Sequence, residues 1–228
     1  MRFSRGIVAV LCTAFATPAA AQFAPGDRWY QNPLGFAPLR LHTAAGLILP
    51  AAAAGAILLL TDADPTRPRR RSVFNETTVS WGYKYPNTRL TQNNTGVVFL
   101  VRPYLSLGVE ADIYWARDDF NRTTGVAVRP FARFYPVNGD RGRLYFESGG
   151  GLLRTATEFP QPTDRDVRLG TTWNGTTKYG LGAEVDFGRY SAVAGVRHTH
   201  VSNGNTKGVQ RNPSHDSNGV YLGLARRF

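Results

Sequence analysis

Two side chains able to do hydrolytic chemistry stand close together late in the chain, within Tyr190-Ser-Ala-Val-Ala-Gly-Val-Arg-His-Thr-His-Val-Ser202. The stretch alternates as a strand does, so His198, His200 and Ser202 project from the same face as Ala192, Ala194 and Val196. An imidazole and a hydroxyl two residues apart on one face put a base within reach of a serine nucleophile. The rest of that face is apolar, which points to lipid as its surroundings. A polar loop rich in Gly and Asn, Asn203 to Asp216, follows. Two plainer readings stand beside this one: a His-x-Ser on a strand is usually structural, and His198, His200 and nearby His215 could instead hold a metal.

Positioning these groups requires an element plan, and the chain begins with a segment outside it. Residues 1–21 read as a cleaved signal peptide, with Arg2 and Arg5 before an apolar stretch and Ala19-Ala20-Ala21 before Gln22. The single cysteine, Cys12, falls inside that segment, so the mature chain is expected to have neither disulfides nor thiol chemistry. Of the formal charge of +11, two units leave with Arg2 and Arg5, and the remaining +9 favours anionic partners. For an exported chain these are acidic lipid or lipopolysaccharide, and nucleic acid is not expected.

Residues 22–71 form a lead-in whose one apolar run is 44–60, followed by the basic cluster 67–71. The run is short for a membrane span and contains Pro50 and Gly55. The expectation is a peripheral or periplasmic helix ahead of the main domain. The alternative is an inner-membrane helical hairpin made by segments 6–21 and 44–60.

Residues 72–228 read as eight strands near 73–85, 95–102, 105–116, 125–136, 142–157, 172–187, 190–202 and 217–228. In Leu105-Ser-Leu-Gly-Val-Glu-Ala-Asp-Ile-Tyr-Trp115 the apolar residues take one side and Glu110 and Asp112 the other. The sixth strand sends Tyr179, Leu181, Ala183, Val185 and Phe187 outward and Lys178, Gly180, Gly182, Glu184 and Asp186 inward. A soluble sandwich would alternate in the same way. The connections separate the two: long at 86–94, 118–124, 158–171 and 203–216, short at 103–104, 137–141 and 188–189. Long loops on one rim and short turns on the other mark an outer-membrane barrel. The terminal strand, with Val220, Leu222, Leu224 and Phe228 on one face, fits the same plan. The fold expected is therefore all-β, an eight-stranded antiparallel transmembrane β-barrel with a side-chain-filled interior. Its seventh strand runs outward, which sets His200 and Ser202 at the outer leaflet.

Arg197-His-Thr-His200-Val-Ser202-Asn203-Gly-Asn, then Asn212-Pro213, then Asp216-Ser217-Asn-Gly-Val-Tyr-Leu-Gly223, resembles the C-terminal signature of the PagL-type lipid A 3-O-deacylases, also called acyloxyacyl hydrolases. The Glu147-Ser-Gly-Gly-Gly-Leu-Leu153 and Gly170-Thr-Thr-Trp-Asn174 segments are similar to family segments, more loosely. The resemblance implies a bacterial outer-membrane enzyme that removes an ester-linked acyl chain from lipid A of lipopolysaccharide. It implies Ser202 as nucleophile, His200 as general base and Asn203 as an aid to the oxyanion. Asp216 falls where family prototypes carry Glu, in a loop two residues longer.

The residues support that chemistry in their own right. Ester hydrolysis needs a nucleophile, a base, a group that orients the base and donors for the oxyanion. Ser202, His200 and Asp216 can fill the first three roles, and Asn203 and Gly204 amides the fourth, with no cofactor or metal required. Arg165, Arg168 and Arg211 are candidates to hold lipid A phosphates. The partners expected are lipid A and the outer membrane, with a homodimer left open. The rival reading is a non-catalytic small barrel, an adhesin or structural envelope protein.

Overall fold

The computed structural model describes residues 47–63, 70–82, 88–163 and 166–228. The signal segment, most of the lead-in and Arg165 lie outside the described residues. Eight strands form a closed antiparallel barrel in sequence order: β1 (Arg71–Gly82), β2 (Arg89–Arg102), β3 (Leu105–Arg117), β4 (Arg122–Asn138), β5 (Gly142–Phe159), β6 (Thr171–Phe187), β7 (Tyr190–Ser202) and β8 (His215–Arg227). Closure comes from β1 pairing with β8, which leaves no free sheet edge.

Alternation is the rule along every strand. Val109, Ile113, Val126, Val128, Leu152, Leu181, Val185, Leu222 and Leu224 all stand exposed on the outer wall. An apolar belt this continuous suits hydrocarbon and not water. Trp115 and Trp173 sit toward the rim of long loops, and Phe187, Tyr190 and Phe228 toward the rim of short turns. Aromatic residues at both margins mark where such a belt meets the membrane interfaces.

The interior is packed with charge. Glu76, Glu110, Asp112 and Glu147 face Arg129, Arg133, Lys178 and Arg197, all buried. Arg197 lies 2.5 Å from both Glu76 and Glu147, Arg129 2.7 Å from Glu110 and 2.9 Å from Asp112, and Lys178 2.7 Å from Glu110. With the buried Arg143–Glu184 pair, at 2.6 Å, they make five acids against five bases, which cancel, so each buried ion is compensated. Tyr145 and Tyr221, joined by a 2.8 Å hydrogen bond, need room beside them. Gly182 provides it, since a Cβ there would land 2.1 Å from the Tyr221 hydroxyl.

Several expected boundaries move, and three of the shifts bear on the loops and the site. β2 begins at Arg89, not near 95, because Gln92 and Asn94 point inward and bond Thr199 (3.0 Å) and Asp112 (2.6 Å). A run of lumen-facing amides reads as a loop until its partners are known. The connection after β3 is short, residues 118–121, with Asp118 accepting the backbone N–H groups of Phe120 and Asn121 at 2.8 and 2.6 Å. β8 begins at His215, which makes Asp216 a strand residue.

The apolar run forms helix α1 (Leu49–Leu60). It is laid against the outer wall of the barrel and does not stand ahead of it. Pro50, Ala53, Ala54 and Ile57 form its buried stripe, at helical spacing. Ala53, Ala54 and Ile57 belong to one packed cluster with Leu105, Ala132, Phe134, Phe146 and Tyr179, outward residues of β3 to β6. Alanines at the contact let the helix backbone approach the sheet closely. Its far side, with Leu49, Leu59 and Leu60 exposed, is apolar too, as a helix between barrel and lipid requires. Arg102 Nε donates to the Thr61 carbonyl at 2.7 Å and its Nη2 to that of Leu58 at 2.9 Å. Carbonyls at the helix C-terminus that lack a partner within the helix are thereby satisfied.

Candidate active site

β7 carries the site because its two neighbours bring the remaining groups level with it. In the ladder, Thr177 of β6, His200 of β7 and Asp216 of β8 share one rung, and Gly175 pairs with Ser202 on the next. Directly opposed residues on adjacent strands have Cβ atoms about 5 Å apart, enough for an imidazole to meet a carboxylate. His200 Nδ1 lies 2.7 Å from Asp216 Oδ1. An N–H there donates to the carboxylate and leaves Nε2 as the nitrogen able to take a proton. The shorter acidic side chain reaches because strand pairing, not a loop, presents it.

The outward orientation expected for this face holds. Val196 and Val220, level with each other on β7 and β8, stand exposed on the same side as His200 and Asp216. The His200 side chain is 26% exposed and Asp216 13% exposed, near the rim of long loops.

Ser202 is placed less simply. Its Oγ donates to Asn212 Oδ1 at 3.0 Å and accepts the Gly204 N–H at 3.0 Å. Among the described residues the hydroxyl has no hydrogen bond to His200, so the acid–base contact is formed and the base–nucleophile contact is not. The Asn203 N–H also donates to Asn212 Oδ1, at 3.2 Å, and Asn212 Nδ2 donates to Asn205 Oδ1 at 2.8 Å. Asn212 is therefore a hub that sequence reading noted only within a motif.

The Asn203 side chain is spent on the loop. Nδ2 donates to the Arg211 carbonyl (2.6 Å) and to Thr171 Oγ1 (3.2 Å), and Oδ1 accepts the Asn205 N–H (3.0 Å). Of the amides expected to face an oxyanion, it is the backbone of Asn203 and Gly204 that lies beside the nucleophile. Gly204 and Asn205, both at φ of +63°, turn the chain sharply out of β7, which explains Gly and Asn in succession.

Of the candidate phosphate ligands, Arg168 forms an ion pair with Asp166 at 2.6 Å and reaches the Val209 and Asn212 carbonyls at 3.4 Å. Arg211 donates to the Gly170 carbonyl at 2.9 Å. Both tie the β5–β6 connection to the β7–β8 loop. His215 pairs with Val201 on the inward side and packs on the Phe159 ring at 5.3 Å, so the three histidines do not converge. His198 is the group that sequence reading undervalued. Its Nε2 lies 3.3 Å from Asp216 Oδ1 and its Nδ1 2.8 Å from Asn218 Oδ1.

Comparison with known proteins adds to this geometry. Residues 75–225 match the family model described as lipid A 3-O-deacylase (PagL). No curated protein sequence matches the chain. Among solved structures, the outer membrane enzyme PagL is 15% identical, with 67% of this chain and 97% of that chain covered and a TM-score of 0.49. Neisserial surface protein A is 10% identical, with 70% and 97% covered and a TM-score of 0.51. The N-terminal β-barrel domain of Pseudomonas aeruginosa OprF is 14% identical, with 71% and 100% covered and a TM-score of 0.42. At such identities structural likeness speaks for the fold alone, while the sequence match covers the barrel from β1 to β8. The chain is an outer-membrane β-barrel and belongs to the lipid A 3-O-deacylase (PagL) family.

Proposed function

We propose that this protein is an outer-membrane esterase that cuts an ester-linked acyl chain from lipid A, using Ser202, His200 and Asp216 on the lipid-facing side of the barrel. The observation that carries the reading is the 2.7 Å contact between His200 Nδ1 and Asp216 on the outer wall, one rung below a serine. A structural barrel has no need of an oriented imidazole at that place.

The reaction follows from the atoms. Rotation about the Ser202 Cα–Cβ bond exchanges Asn212 for His200 Nε2 as the partner of its hydroxyl. Nε2 takes the proton as Oγ attacks the ester carbonyl, and Asp216 steadies the imidazolium that forms. The Asn203 and Gly204 backbone N–H groups serve the oxyanion, the role in which one donor is worth about 3 kcal/mol. Collapse breaks the bond to the sugar oxygen, which receives the proton from His200. Water, deprotonated by the same imidazole, then releases the fatty acid from Ser202. Arg211 and Arg168, and Arg165 in the same loop region, are the cations to which lipid A phosphates would come.

The test is mass spectrometry of lipid A from cells expressing wild type or Ser202→Ala. Loss of one acyl chain with wild type only is the expected result. Identical spectra would return the protein to the rival class of non-catalytic barrels, which one observation favours: the Ser202 hydroxyl rests on Asn212 and not on His200.

A further inference from the structure

Below the rung that carries His200 and Asp216 lies a second rung, Tyr179 of β6, His198 of β7 and Asn218 of β8. All three side chains are on the outer wall, where the pattern of β7 and β8 otherwise puts Ala194, Val196, Val220 and Leu222. Yet Tyr179, His198 and Asn218 are 2%, 5% and 3% exposed. The Tyr179 and His198 rings stack at 4.7 Å with 23° between their planes. Tyr179 is also a member of the cluster that seats helix α1 on the wall. The imidazole is thus held on one flank by an aromatic ring and on the other by an amide, and it points at the acid of the site.

We infer that His198 is a positioning residue, which fixes the Asp216 carboxylate so that it in turn holds His200. Both imidazoles meet the same carboxylate oxygen, Oδ1, at 2.7 Å from His200 and 3.3 Å from His198. A carboxylate gripped by one donor can turn about its Cβ–Cγ bond and carry that donor with it. A second donor fixed on the neighbouring rung removes the freedom, at little entropic cost because Tyr179 and Asn218 already hold the ring. The direction of the bond follows from Asn218, whose Nδ2 has no hydrogen-bond partner among the described residues. Turning the amide brings that nitrogen to His198 Nδ1 as a donor and puts the ring proton on Nε2, facing Asp216.

The inference rests on the proposed esterase reading, and its test is built to fail separately. Wild type, His198→Phe and His198→Gln are compared in detergent micelles with lipid A, following fatty acid release, with heat-modifiable gel migration as the check on folding. Phe keeps the stack on Tyr179 and loses the donor; Gln places an amide N–H near the position of Nε2 and loses the ring. The expected result is a kcat lower by roughly ten- to a hundredfold in His198→Phe with KM within about twofold, and recovery of most of that loss in His198→Gln. A wild-type kcat in His198→Phe, no recovery in His198→Gln, or a change confined to KM would each overturn the inference. The same variants are examined by histidine ¹⁵N NMR, which needs no turnover. The His200 Nδ1–H resonance should be sharp in wild type, broadened by exchange in His198→Phe and restored in His198→Gln. If it is unchanged in His198→Phe, the inference fails whether or not the protein is an esterase; if wild type releases no fatty acid, only the esterase reading falls.

Discussion

At the scale of single residues, the site is a question of which hydrogen bonds exist before substrate arrives. The His200–Asp216 bond does, at 2.7 Å, and the serine is parked on Asn212. Ser202→Ala and His200→Ala should each abolish fatty acid release while leaving heat-modifiable migration unchanged, since neither side chain supports the barrel interior. Asp216→Ala should be the milder by roughly one to two powers of ten in kcat, because an orienting group usually costs less than the nucleophile. Migration altered in His200→Ala would mean that the imidazole serves the fold. The His-x-Ser pair and its outward parity could be read from alternation alone. The role of Asn212 could not, because it depends on how a loop of twelve residues, 203–214, folds back on its own start.

At the scale of elements, α1 is the part for which periodicity was least informative. Apolar on every side, it offers no moment from which to read a buried face, and its placement was decided by the outward residues of β3 to β6. Arg102 is its anchor. Arg102→Ala should take this donor from the part-buried Leu58 and Thr61 carbonyls, a cost of about 1 kcal/mol. The measurable result is faster limited proteolysis within residues 47–63 and a lower temperature for loss of the folded gel band. Unchanged proteolysis would mean that packing on Phe134 and Phe146 suffices without the anchor. β2 makes the converse point: Gln92 and Asn94 look like loop residues until Thr199 and Asp112 are set across the lumen from them.

At the scale of the whole molecule, the balance of charge inside explains how so basic a chain can close around a buried polar core. The chain's formal +11 lies elsewhere, because among the described residues the buried acids (Glu76, Glu110, Asp112, Glu147 and Glu184) and the buried bases (Arg129, Arg133, Arg143, Lys178 and Arg197) cancel five against five. Glu147 is shared by Arg133, Lys178 and Arg197 at 2.5 to 3.5 Å. Glu147→Gln should cost about 3–5 kcal/mol, since it strands a buried cation. Glu147→Gln with Lys178→Met should recover part of that loss, as removing one acid and one base restores the charge balance of the interior. Urea unfolding in micelles reads both; equal stability of the single and double variants would show that the remaining carboxylates absorb the charge.

The sequence by itself determined the barrel, the number of its strands and the outward face of His200 and Ser202, because side-chain period and loop length are local properties of the chain. It also named Asp216, through a resemblance. Only the tertiary structure decided that Asp216 is a strand residue on the rung of His200, that His198 shares the same carboxylate oxygen, and that α1 lies on the lipid-facing wall. The reason is physical: register between β7 and β8 is set by closure of the whole sheet, and an apolar helix takes its position from the surface it meets.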